Sequence, residues 1–181
     1  MTQDSTTPAR VVAAARQWIG TPYHHQGSVR GIGADCLGLV RGVWREIYGR
    51  EAESPPPYSR DWAETGGEEA MLAAAARHLM AIDHREAGAG DVVVFRMRAG
   101  SVAKHAAILS SPTMMIHAME GGPACEVALS NWWRRRIAGA FRFPARPRQP
   151  LSSCQPRMPQ NQTCSVIPGE ASIARETRDP A

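Results

Sequence analysis

No Cys-x-x-Cys pair occurs in this 181-residue chain, whose four cysteines, Cys36, Cys125, Cys154 and Cys164, are scattered. Such spacing offers neither a structural zinc site nor a disulfide scaffold. The adjacent His24 and His25 do not repair the lack, because consecutive side chains of an extended segment point to opposite sides. No metal and no cofactor is therefore expected. Nothing approaches the ~20 consecutive apolar residues of a membrane span. The first residues, Met1 to Thr7, include Asp4 where an export signal carries positive charge, and Arg10 and Arg16 bracket the short apolar stretch between them. No leader is expected on that reading, which leaves the protein in the cytoplasm when made. Charge is not concentrated either. The net +4 divides evenly between residues 145–181, with five Arg against three acids, and the remainder. That balance gives a weak attraction to anionic polymers and no nucleic-acid signature. Arg134, Arg135 and Arg136, after Trp132 and Trp133, read as a solvated helix face.

What is present suits one small core. Hydrophobic residues make up 43% of the chain and no internal repeat is visible. Three segments are expected: a flexible N-terminus over 1–7, one domain over 8–144, and a Pro/Arg-rich tail over 145–181. Pro147, Pro150, Pro156, Pro159 and Pro168 interrupt the last of these, and too few apolar residues remain to offset the entropy of ordering it. Thr7 and Pro8 suit the cap and first turn of a helix that Gly20 closes. A second helix is expected from Cys36 to Tyr48, with Leu37, Val40, Trp44 and Ile47 on one stripe and Gly49 as its stop. A third spans about 68–80, with His78 and His84 on the surface near its end. Strands are expected at about 91–97, 103–110, 113–119, 124–129 and 138–143, with a short helix over 131–137. Helices first and strands afterwards predict an α+β fold, the N-terminal helices packed on a mostly antiparallel five- to six-stranded sheet.

Cys36 opens the second helix after the glycine-rich Gly31-Ile32-Gly33-Ala34-Asp35. A thiol there feels the positive end of the macrodipole and unpaired backbone N–H groups, both of which favour thiolate. Alone, such a cysteine is usually a small buried hydrophobe. Two strand histidines change its meaning. Period-two alternation puts Ala103, His105, Ala107 and Leu109 on one face, and Met115, His117 and Met119 on one face of the next strand. A three-residue loop of Ser110, Ser111 and Pro112 would pair Leu109 with Thr113 and His105 with His117, Cβ atoms about 4.5–5.5 Å apart, so that one imidazole orients the other. A cysteine at a helix start with two strand histidines is the arrangement of a papain-like hydrolase. Cys36 would attack an amide carbonyl, His105 would carry the proton, and backbone N–H groups at the helix start would meet the oxyanion.

Five blocks in order, Trp18-Ile19-Gly20-Thr21-Pro22-Tyr23, Ala34-Asp35-Cys36-Leu37-Gly38-Leu39-Val40, Gly90-Asp91-Val92-Val93-Val94-Phe95, Lys104-His105-Ala106-Ala107-Ile108-Leu109 and Met115-Ile116-His117-Ala118, resemble the NlpC/p60 cell-wall cysteine peptidases. The form Asp-Cys-Leu-Gly-Leu-Val is most similar to the branch found in tailed phages and gene transfer agents. The resemblance implies Cys36 as nucleophile, His105 as base and His117 as the residue orienting it. It places Tyr23 near the nucleophile as an oxyanion or site stabiliser. Asp35 falls on the acidic residue that in some members contacts the free amine of a stem peptide, and it also suits a helix N-cap. The implied substrate is the peptidoglycan stem peptide, cut between D-glutamate and diaminopimelate. The implied partners are phage-like tail proteins that would deliver the enzyme to the wall. A structural tail hub retaining the fold, or another acyl transfer by the same dyad, are the rival readings.

Overall fold

The computed structural model describes residues 8–58 and 68–145. The expected flexible N-terminus, the N-cap at Thr7, Cys154, Cys164 and, save Ala145, the expected tail lie outside the described residues. The chain divides into units Met1–Arg148 and Gln149–Ala181; only the first is described.

Helix α1 runs Pro8–Arg16 and buries Val11, Val12, Ala14 and Ala15. It tapers through tighter turns in which Gln17, Trp18 and Ile19 donate to carbonyls three residues back. Gly20, at φ 88°, ends the run, where its N–H donates to the Ala124 carbonyl at 2.8 Å. The regular helix thus stops four residues before the expected glycine. A hairpin of β1 (Ser28–Val29) and β2 (Gly33–Ala34), absent from the sequence reading, then leads into α2 (Cys36–Tyr48). Strands of two residues carry no periodicity from which to infer them.

Helix α2 has the expected bounds and the expected stop, Gly49 at φ 70° donating to the Arg45 carbonyl. Its buried face differs from the expected stripe. Gly38, Leu39, Gly42, Val43 and Trp44 are buried, whereas Leu37, Val40 and Ile47 lie half-buried on the flank. The cause is close approach. A side chain at Gly42 would overlap the Trp18 ring, and one at Gly38 would overlap the Gly27 carbonyl. The smallest residues of the helix therefore face the nearest neighbours.

Helix α3 (Ala70–His78) is shorter than expected, because Leu79 turns to extended backbone and starts an edge strand, β3 (Met80–Ile82). Then follow β4 (Val92–Phe95), β5 (His105–Ser111), β6 (Met114–His117), β7 (Cys125–Ala128), α4 (Asn131–Arg134) and β8 (Ile137–Arg142). The six strands form one antiparallel sheet in the order β3-β8-β4-β5-β6-β7. The α+β architecture and papain-like arrangement are as the sequence led one to expect. Both faces of β4 and β5 are buried, which is why Val92-Val93-Val94-Phe95 reads as an unbroken apolar run. Val92, Val94, Ala106 and Ile108 pack toward α1 and α2, with Trp18, Leu39 and Val43. Val93, Phe95, Ala107, Leu109 and Met115 form a second core, against which Trp133 of α4 packs.

Candidate active site

The β5–β6 connection sets the histidine geometry. It is a tighter turn than expected, through Pro112 and Thr113, with a bulge between Leu109 and Ser111. Ile108 therefore pairs with Ile116 and Leu109 with Met115, two positions away from the expected register. An offset of two keeps each side chain on its face, so His105 and His117 are diagonal neighbours rather than direct partners. Their rings still meet: His105 Nε2 lies 3.0 Å from His117 Nδ1, with the ring planes at 82°. Both are nearly out of solvent, at 6% and 5% exposure.

Cys36 comes to this pair from the start of α2. Its thiol donates to the Lys104 carbonyl, Sγ···O 4.0 Å, and the Ala106 N–H bonds the sulfur. The sulfur thus lies against the residues immediately before and after His105. Cys36 and His105 line one cavity of about 370 Å³, with Tyr23 and Asp35 on the same wall system. Tyr23 sits where the chain bridges in parallel to Ala34. Hence four of the five predicted site residues line this cavity, and His117 stands behind His105.

Asp35 is the N-cap of α2. One carboxylate oxygen accepts from Gly38 N–H at 2.7 Å; the other accepts from Gln26 N–H at 2.8 Å and from the Tyr58 hydroxyl at 2.5 Å. It is 4% exposed, so the cap reading of this residue describes its contacts. Tyr58 and His25 were missed in the sequence. His25 donates from Nε2 to the Tyr58 carbonyl at 2.8 Å, with its ring edge-on to the Tyr58 ring. Neither signal was available, because the contact spans 33 residues of chain. Arg134 and Arg135 are exposed, as expected of a solvated face, while Arg136 is half-buried. Arg134 donates to the Pro112 carbonyl at 2.6 Å, and Arg136 to those of Met97 and Trp132.

The electrostatics differ from the thiolate expectation. Burial, then the negative charge of Asp35, push the Cys36 thiol up to about 12, outweighing the backbone N–H groups of Ala106, Leu37 and Cys36 itself. Burial, then repulsion from His117, lowers His105 to about 3. Burial also lowers His117. At neutral pH the resting pair is therefore thiol and neutral imidazole. Tyr58 is raised by burial and by its bond to Asp35, so it stays a hydroxyl donor. Among the described residues no cluster of His, Cys, Asp and Glu could hold a metal, and no helix is long and apolar enough to cross a membrane.

Helices packed on an antiparallel sheet, with a cysteine opening the central helix against a histidine strand, define a papain-like α+β protein. Residues 20–142 match the NlpC/P60 family, and the chain belongs to it. Among solved structures it is similar to the NlpC/p60 domain of the peptidoglycan hydrolase SagA, at 24% identity and TM-score 0.54, over 76% of this chain and 100% of that one. It is also similar to an NlpC/P60 family protein from Bacillus cereus, at 20% identity and TM-score 0.54, over 78% of this chain and 41% of that one. A third is the peptidoglycan hydrolase RipB from Mycobacterium tuberculosis, at 19% identity and TM-score 0.50, over 76% and 64%. The chain thus spans less than half of the Bacillus protein. No curated protein matches the sequence.

Proposed function

We propose that this protein is a cysteine peptidase that hydrolyses peptidoglycan stem peptides, at the bond between D-glutamate and diaminopimelate. The observation that carries the reading is the Cys36 sulfur seated between Lys104 and Ala106, in one cavity with His105, whose far nitrogen is held by His117. With Nε2–H donating to His117, His105 keeps the Nδ1 lone pair for the thiol proton. Because thiol and imidazole both rest neutral, that proton moves as sulfur attacks the carbonyl carbon. The tetrahedral oxyanion meets backbone N–H groups at the start of α2. His105 then protonates the leaving amine, the C–N bond breaks, and a thioester remains. Water, deprotonated by His105, hydrolyses the thioester and restores the thiol. His117 orients the base, Tyr23 supports the oxyanion side, and Asp35 fixes the helix start. No cofactor enters these steps.

The sequence form around Cys36 supports a place in a phage-like or gene-transfer-agent tail, with delivery to the wall in the particle. The test is digestion of purified muropeptides followed by mass analysis of the fragments. Fragments ending in D-glutamate, absent with Cys36→Ala, support the reading; an unchanged digest rejects it.

A further inference from the structure

Trp133, just before the three arginines expected on a solvated face, is half-buried and turned toward the site. Its indole stacks on the His105 imidazole, centroids 5.4 Å apart and planes at 29°. It meets His117 edge-on at 5.5 Å and 87°. Phe95, paired with His105 in the β4–β5 register, also packs against the indole at 4.9 Å. Trp133 is not among the residues lining the cavity. It therefore covers the histidine pair from behind, opposite the approach of a substrate. We propose that Trp133 is a positioning residue of the active site: its ring fixes the plane of the His105 imidazole and keeps water off the His105–His117 hydrogen bond.

The indole is itself firmly held. α4 is a single turn, yet Leu129 N–H donates to the Thr113 carbonyl before it, and Arg134 grips the Pro112 carbonyl of the β5–β6 turn. After it, Arg136 N–H donates to the Trp133 carbonyl and Arg96 N–H to the Arg136 carbonyl, each at 2.8 Å. The neighbouring Trp132 packs edge-on against Trp133 and carries the Arg136 guanidinium over its own ring at 3.7 Å. The element that closes over the histidines is thus tied to the turn that sets their register and to β4. Such a shield matters here because a second imidazole, unlike a carboxylate, offers His105 no charge. Orientation then rests on one neutral hydrogen bond, which water would readily compete for.

The inference rests on His105 being the base, and the experiment separates the two. Among the described residues, Asp35, Cys36, Glu53, Tyr58, Lys104 and Glu120 are ionisable groups that share the cavity lining with His105, and Cys125 lies opposite His117 on β7; none is altered by the variants. Trp133→Phe keeps a stacking ring, whereas Trp133→Leu fills space without one. Folding of each is checked by circular dichroism. We expect Trp133→Phe to keep kcat within about threefold and Trp133→Leu to lose about tenfold in kcat at unchanged KM. Independently of activity, histidine 15N resonances should show His105 taking its proton about one pH unit higher in Trp133→Leu than in wild type. Equal kcat and equal His105 titration in the Leu and Phe variants would overturn the proposal and make Trp133 a core filler. If the wild type cuts no muropeptide, the peptidase reading fails, while the His105 titration still decides the role of Trp133.

Discussion

At the scale of the residue, the site separates proton transfer from orientation. His105 is the ring that shares the cavity with Cys36; His117 touches only the other nitrogen. We expect His105→Ala to lower kcat by about 10³-fold, within the range of a positioned acid–base group, and His117→Ala by about tenfold. Equal losses would mean the two act as one unit. Cys36→Ala should abolish turnover with the fold intact, while Cys125→Ser, keeping its volume opposite His117, should stay within about threefold. Steady-state kinetics on one defined stem peptide check all four. Asp35 belongs to the same scale. Asp35→Asn keeps an acceptor for Gly38 N–H, but the amide nitrogen that replaces the other oxygen can accept from neither Gln26 N–H nor the Tyr58 hydroxyl. It should cost about 1–3 kcal/mol in urea unfolding, since a buried donor is left without its partner.

At the scale of the element, α2 carries the nucleophile and is seated through its glycines. In an isolated helix Gly42→Ala would stabilise by about 0.5–1 kcal/mol. Here the added methyl would overlap the Trp18 ring, and overpacking of this kind costs about 1–3 kcal/mol. The packing term wins, so the midpoint of denaturation should fall; a rise would mean Trp18 moves freely. This also shows what the sequence could and could not tell. The bounds of α2 were readable because an acidic cap, an apolar helix pattern and a terminal glycine all agree. Its buried face was not, because closeness depends on a partner ring more than twenty residues away. Likewise, alternation gave the faces of His105 and His117, while their register depended on a bulge at Ser110 that no local pattern marks. The contact survived because an offset of two preserves the face. Tyr58 and Trp133 reach the site through tertiary packing alone, one from a proline-flanked loop and the other from a one-turn helix.

At the scale of the whole molecule, the buried histidine pair couples folding to pH. Both imidazoles are held below the ordinary histidine value near 6.5, His105 down to about 3, by loss of solvent. Below pH 6.5 the unfolded chain therefore binds protons that the folded chain refuses. Stability falls as pH drops through this window, by up to about 1.4 kcal/mol per pH unit for each histidine. The paired carboxylates Glu51, Glu53, Glu69 and Glu126 are lowered and act in a different window. Their contribution is present above the ordinary carboxylate value near 4.5 and is lost as pH falls below it. Between pH 6.5 and 4.5 the site histidines thus dominate the slope. At the other end, the Cys36 thiol held up near 12 makes stability fall above pH 9, where only the unfolded thiol ionises. Urea midpoints of wild type and a His105→Gln/His117→Gln double variant, taken at pH 7.5, 6.5, 5.5 and 4.5, check the acid side. The variant starts lower, because the packing is disturbed, but its midpoint should change little between pH 6.5 and 4.5 while that of the wild type drops steeply. Parallel slopes would mean the pair accepts protons in the folded protein as readily as in the unfolded chain, so that burial does not hold the two rings neutral.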